Sequence, residues 1–499
     1  MKRLLILAAA AIALLAGCSQ YKYETVAGDP METKMYTLDN GLKVYMTVNK
    51  ETPRIQTYIA VKVGGKNDPS ETTGLAHYFE HLMFKGSEQF GTADYAAEKP
   101  LLDQIEALFE VYRVTEDEAE RAEIYRQIDS ISYVASDLFI PNEYDKLMSV
   151  IGAEGTNAYT STDMTVYVED IPSNQIENWA RIEADRFMHP VIRGFHTELE
   201  TVYEEKNMSL TNDFRKSLEA MDGILFADHP YGTQTVLGTQ EHLKNPSVTN
   251  IKNYHKTYYV PNNMAICLSG DFDPDEMLSI IEKYFGQMEP NENLPEVDFE
   301  TNTVIESPVS KEVYGLDAEN IMIGWKYPGA GTQEALLAGV AEYILSNGSA
   351  GLIDLNLNQQ QKVLGAQAMS YTRPDAGEFL IMADPKQGQT LDEVKDLVLA
   401  EIAKLRAGEF DEALLTGTIN NMKLRQMRML ESNSDRADMF VQSFINGTDW
   451  ADEVAWLDNL SKVTKQDVID WANKYLSDNS YVVIYKRQGE DTTVQKVSA

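Results

Sequence analysis

A chain of 499 residues, 43% hydrophobic and 24% charged, carries enough apolar material for two or more globular domains. Its formal net charge of −35 excludes a nucleic-acid binder, and electrostatic docking on anionic lipid, because both need clustered cations. Such acidity can attract basic peptides, and it serves solubility.

In chain order, Lys2 and Arg3 precede an apolar run from Leu4 to Ala16 that is too short to span a bilayer comfortably. Leu15-Ala-Gly-Cys18 resembles a bacterial lipobox. Residues 1–17 therefore read as a lipoprotein signal peptide, with Cys18 the acylated first residue of the mature chain. Ser19 is no retention signal of the Asp type, which favours an outer-membrane anchor facing the periplasm. Residues 18–31 read as a polar tether.

Tyr36 to Val48 predicts a hairpin closed by Asn40-Gly41, and Thr57 to Val63 a further strand ending at Gly64-Gly65. A helix is then expected from about Thr73. It carries His77, Glu80 and His81 in the order H-x-x-E-H. Positions four apart share a helix face, so His77 and His81 can point at one ion. Two imidazoles suit Zn²⁺, and a carboxylate beside them can take a proton from an activated water.

The stretch Gly74-Leu-Ala-His-Tyr-Phe-Glu-His-Leu-Met-Phe-Lys-Gly86 resembles the active-site helix of the pitrilysin/insulinase zinc peptidases, a family that includes the mitochondrial processing peptidases. The resemblance implies one zinc per chain, Glu80 as proton acceptor and peptide substrates. It also implies a third ligand from a later E-x-x-x-V-x-x-E pattern. Glu198-Leu-Glu-Thr-Val202-Tyr-Glu-Glu205 fits that pattern, with Glu205 as ligand and Glu198 as an outer carboxylate; Glu200 and Glu204 compete. Gly155-Thr-Asn157-Ala158-Tyr159-Thr160 matches the family's edge strand, so Asn157, Ala158 and Tyr159 are expected to pair with extended substrate.

Between these motifs, residues 93–138 show helical spacing of Leu101, Leu102, Ile105, Leu108, Phe109 and Tyr112, followed by alternating Glu and Arg. They read as an inserted pair of helices, either a lid or a structural flap. Ser173–Phe187 and Thr197–Leu210 read as helices and Met264–Gly270 as a strand. Cys267 in that strand reads as a buried residue and not a nucleophile. Residues 289–308, rich in Pro, Glu and Asn, read as a linker.

The remainder of the chain is an internal repeat. Shifted by 262 positions, Ile59–Val63 falls on Ile321–Trp325, and Leu75, Ala76, Glu80 and Leu82 fall on Leu337, Ala338, Glu342 and Ile344. His77 and His81 fall on Gly339 and Tyr343, and Ala413–Leu430 holds no acidic residue. The expectation is an α+β fold of two homologous domains, each an open β-sheet with helices packed on one face. The zinc-binding peptidase domain covers 32–288, and a second domain without ligands covers 309–490. Such a chain is expected to be a zinc metalloendopeptidase of the bacterial cell envelope, held to the membrane by lipid. The alternative is a non-catalytic family scaffold or peptide-binding lipoprotein. The family's second half supplies an Arg and a Tyr that hold the substrate carbonyl. The corresponding stretch here, Leu357–Ala366, has neither, so a partner half is expected and weak turnover without it.

Overall fold

The computed structural model describes residues 21–295, 299 and 301–490. The expected signal peptide and Cys18 lie outside them. Among the described residues no helix is long and apolar enough to cross a membrane.

Two mixed sheets organise the chain. The first contains β1 (Lys34–Thr37), β2 (Lys43–Val48), β3 (Arg54–Val61), β4 (Glu154–Thr160), β5 (Thr165–Pro172) and β6 (Met264–Gly270), in the order β1-β2-β6-β3-β5-β4. The second contains β7 (Val309–Gly315), β8 (Asn320–Pro328), β9 (Gly365–Thr372), β10 (Ala376–Asp384) and β11 (Val482–Gln488), in the order β7-β11-β8-β10-β9. The second order repeats the first strand for strand once β1 is set aside. The parallel pair β2·β6 recurs as β7·β11.

The helices, numbered as used below, are α1 (Leu75–Leu82), α2 (Tyr95–Tyr112), α3 (Glu118–Ser136), α4 (Glu143–Val150), α5 (Ile176–Met188), α6 (Phe195–Ser209), α7 (Asp213–Leu225), α8 (Val248–Tyr258) and α9 (Pro274–Phe285). They continue with α10 (Gln333–Leu345), α11 (Leu391–Ala407), α12 (Glu412–Met429), α13 (Asn433–Asn446), α14 (Trp450–Ser461) and α15 (Lys465–Tyr475). The shift of 262 that relates Leu75 to Leu337 does not persist. Phe195 at the start of α6 corresponds to Glu412 at the start of α12, a shift of 217. The missing 45 positions are close to the length of the α2–α3 segment, which has no counterpart in the second domain.

That segment is built into the first domain's core. Ile105, Phe109, Ile124 and Ile128 are buried in it. A buried Arg193–Glu98 pair at 2.8 Å ties α2 to the approach of α6, and Glu106 and Glu110 accept from Thr249 and Ser247 at the start of α8. These contacts favour a structural flap over a lid. Lifting the segment as a lid would part Glu98 from Arg193 and leave a buried charge without its partner.

One face of each sheet is covered by its own domain's helices. The opposite faces are exchanged. Phe440, Val441 and Phe444 of α13 pack on Tyr45, Tyr58 and Cys267 of the first sheet. Met221 and Leu225 of α7 pack on Met322, Leu380 and Ile484 of the second. Cys267 is thus a packed strand residue, as its apolar setting predicts. The stretch expected to be a tether is docked from Tyr21 onward. The Tyr23 hydroxyl reaches Asp275 at 2.8 Å, Met31 is buried, and Asp29 accepts from the Trp450 indole at 2.8 Å.

Candidate metal centre

The helix α1 is short, and its start is held by a buried acid. Asp68 accepts from the backbone N–H of Gly74, Leu75 and Ala76 at 2.7, 3.1 and 2.9 Å. These are donors that a helix N-terminus leaves without internal partners. Gly74 enters the helix at φ 89°, which glycine adopts without strain. Leu75, Ala76, Phe79 and Leu82 face the core, and the Tyr78 hydroxyl donates to the Phe195 carbonyl, locking α1 to α6.

That lock brings three ligand atoms together. His77 Nε2 and His81 Nε2 stand 3.2 Å apart, and Glu205 Oε2 lies 3.5 Å from each. Among the described residues these three form a cluster able to hold a metal ion. Ligand atoms about 2.0–2.2 Å from a tetrahedral zinc ion are about 3.3–3.6 Å from one another, so the triangle has the size zinc requires. Its chemistry fits as well: two nitrogens, one carboxylate and an open side, since the Glu205 side chain is 41% exposed. Glu204 is solvent-facing and, among the described residues, accepts from Asn207, and Glu200 is exposed, so neither competitor reaches the imidazoles.

An outer contact fixes one of the two rings, that of His81, whereas His77 Nδ1 is buried without a hydrogen-bond partner among the described residues. His81 donates through Nδ1 to Glu198 at 2.8 Å, which leaves its Nε2 lone pair aimed into the triangle. Glu198 is also paired with the Lys85 ammonium at 2.5 Å. Burial pushes the Glu198 carboxyl up, but the bonds from His81 and Lys85 outweigh it and hold it below the ordinary range. Burial, with His81 and Arg215 adding to it, pulls His77 down to about 4 and keeps that ring neutral.

Glu80 stands on the same helix with 8% of its surface exposed, and burial raises its carboxyl above the ordinary value. The Thr160 hydroxyl donates to its Oε2 at 2.5 Å and, with His81, opposes that rise. Thr160 closes β4, the sheet edge that carries Asn157, Ala158 and Tyr159. Among the described residues β4 pairs with β5 alone, so its outer backbone is open. Removing the donor should raise Glu80 further. If Glu80 is the general base, Thr160→Val is thus expected to move the acidic limb of the pH–activity profile upward, since a carboxyl accepts a proton only when ionised. A limb that stays in place or moves down in a kcat/KM titration contradicts the contact's role.

The second domain shows how the same frame looks without ligands. Glu342 is kept and accepts from the Ser370 hydroxyl on β9, as Glu80 does from Thr160. The place of His81 is taken by Tyr343, whose hydroxyl accepts from Arg425 at 2.9 Å. Leu357 to Leu364 lies in a helical turn and loop before β9, with no Arg or Tyr. Asp68, and the contact of Thr160 with Glu80, were missed from sequence, because neither falls within the helix pattern; an acidic residue just ahead of the helix start was the available signal for Asp68.

A family model described as Insulinase (Peptidase family M16) matches residues 43–100, and one described as Peptidase M16 inactive domain matches residues 247–422. The chain is 24% identical over 468 residues to the zinc protease PqqE of Helicobacter pylori, covering 90% of this chain and 91% of that one. It is 24% identical over 279 residues to the insulin-degrading enzyme of Mus musculus, covering 54% of this chain and 22% of that one. The fold matches the crystal structure of a protease from Helicobacter pylori with a TM-score of 0.75 at 20% identity, over 91% of this chain and 99% of that one. It matches the periplasmic protease PqqL from Escherichia coli with a TM-score of 0.69 at 14% identity, over 93% of this chain and 48% of that one.

Proposed function

The chain carries domains of the insulinase (M16) peptidase family, and on that premise we propose that it is a zinc metalloendopeptidase acting on extended peptides in the bacterial cell envelope. The observation that carries the reading is the His77, His81 and Glu205 triangle with Glu80 on the same helix beside it. These three residues would hold the ion. Zinc, when bound, supplies the Lewis acidity that polarises a carbonyl and makes water a nucleophile near neutral pH.

The chain's own residues do the rest. The open edge of β4 offers the backbone N–H and C=O of Ala158 to an extended peptide, because Asn157 and Tyr159 turn theirs toward β5, and such pairing gives affinity with little demand on sequence. Glu80 accepts a proton at its carboxylate from the attacking water and returns it to the leaving amine nitrogen. Thr160 orients that carboxylate, and Glu198 holds the imidazole of His81 in one tautomer. Two peptides result, with no acyl-enzyme.

The cell-envelope location rests on Lys2, Arg3 and Leu15-Ala-Gly-Cys18 and on the likeness to a periplasmic protease. A partner half supplying an Arg and a Tyr is part of the proposal, and it is supported by the chain's matching 48% of PqqL and 93% of that protein's first half. The test is mass spectrometry of peptide digests by the purified chain, with and without a chelator. Cleavage that the chelator stops and zinc restores is expected, slow for the chain alone. A folded, zinc-loaded protein that binds peptides and leaves them intact would favour the scaffold reading.

A further inference from the structure

Two tight turns feed the candidate site, and both meet at one lysine. The turn Gly65–Asn67 leads through Asp68 into α1. The turn Ser161–Asp163 follows Thr160, which orients Glu80. The turns are laced by Gly65 N–H to the Ser161 carbonyl at 3.0 Å and Lys66 N–H to the Thr162 carbonyl at 2.9 Å. They approach so closely that a Cβ on Gly64 would fall 2.3 Å from the Ser161 carbonyl oxygen.

The Lys66 ammonium sits between two carboxylates. It is 2.8 Å from Asp163 Oδ1 and 2.7 Å from Asp375 Oδ2, with only 14% of its side chain exposed. Asp163 is buried and also accepts from the Tyr231 hydroxyl at 2.8 Å. Asp375 comes from the other domain, in the turn between β9 and β10, and His229 Nε2 lies 3.3 Å from it. A buried ammonium is stable only where its charge is answered. Here half of that answer is supplied by the domain that has no metal ligands.

We propose that Asp375 is a positioning residue for α1 and for Glu80, acting through Lys66. The second domain thereby sets the metal-bearing helix that it does not itself possess. The role rests on the reading of His77, Glu80 and His81 as the working residues, and it is tested by a measurement that does not need turnover.

The measurement is amide hydrogen exchange of the full chain, comparing wild type with Asp375→Asn, Lys66→Met and the double variant. Exchange in residues 75–82 is expected to quicken about tenfold in each single variant while β8 keeps its protection. The double variant should be no faster than Lys66→Met, because both changes break one link. Zinc affinity should fall about tenfold in parallel, as it does when outer contacts to a ligand helix are lost. Asp375→Glu should restore both. Unchanged protection of residues 75–82 in the single variants overturns the proposal. So does faster exchange spread evenly over both sheets, which would mark a contact that only docks the domains. If the wild-type protein cleaves no peptide, the peptidase reading fails while the exchange pattern still decides this one.

Discussion

Glu80→Gln should retain about one zinc per chain and lose turnover by about 10²–10⁴-fold, the range general acid–base catalysis contributes. The amide keeps the volume of the carboxylate and can still meet the Thr160 hydroxyl, so α1 and the ligand triangle should stand. Only the ability to take and return a proton is removed. KM should change little, because the substrate contacts proposed here are backbone contacts to β4. Zinc content by metal analysis and kcat by fluorescent-peptide cleavage read the two halves separately. Wild-type turnover in Glu80→Gln would remove Glu80 from the mechanism, and loss of zinc would make it a structural residue instead.

The candidate site was legible where chemistry and helix period coincide. His77, Glu80 and His81 declare themselves within five residues, and Glu205 follows from a spaced pattern whose Val202 is fully buried and so fixes which face turns inward. What the sequence hid is the support. Asp68 reaches α1 only because the chain folds back through a turn, and Thr160 reaches Glu80 only because β4 lies at the sheet edge beside that helix. Neither contact has a period.

The same limit governs the fold. Repetition at a constant shift revealed two related domains, but α2 and α3 displace everything after them, so α6 and α12 match only once the strand order is known. The exchange of α7 and α13 between sheets was also out of reach. An amphipathic pattern says that a helix buries one face and is silent on which sheet receives it. That exchange gives the ligand-free domain a physical task. Without α13, the first sheet would expose Tyr45, Tyr58 and Val166 to water.

The register of the third ligand is where the largest change in metal binding is expected. Glu205→Gln should weaken zinc by more than the about 10–100-fold that loss of an outer partner costs, because it removes a ligand together with its charge. Glu198→Gln should fall within that range, since His81 would lose the carboxylate that fixes its tautomer but keep its place. Glu204→Gln should leave affinity at the wild-type value, as its side chain faces solvent beside Asn207. The order of the three variants is the informative quantity, and competition against a chelating dye at fixed pH measures it. Fixed pH matters because protons compete for His81, whose bond to Glu198 and neighbouring carboxylates raise it against the downward pull of burial. Should Glu204→Gln strip the metal while Glu205→Gln keeps it, the face of α6 that meets α1 is rotated by one residue from the one described. The triangle would then belong to a different acid.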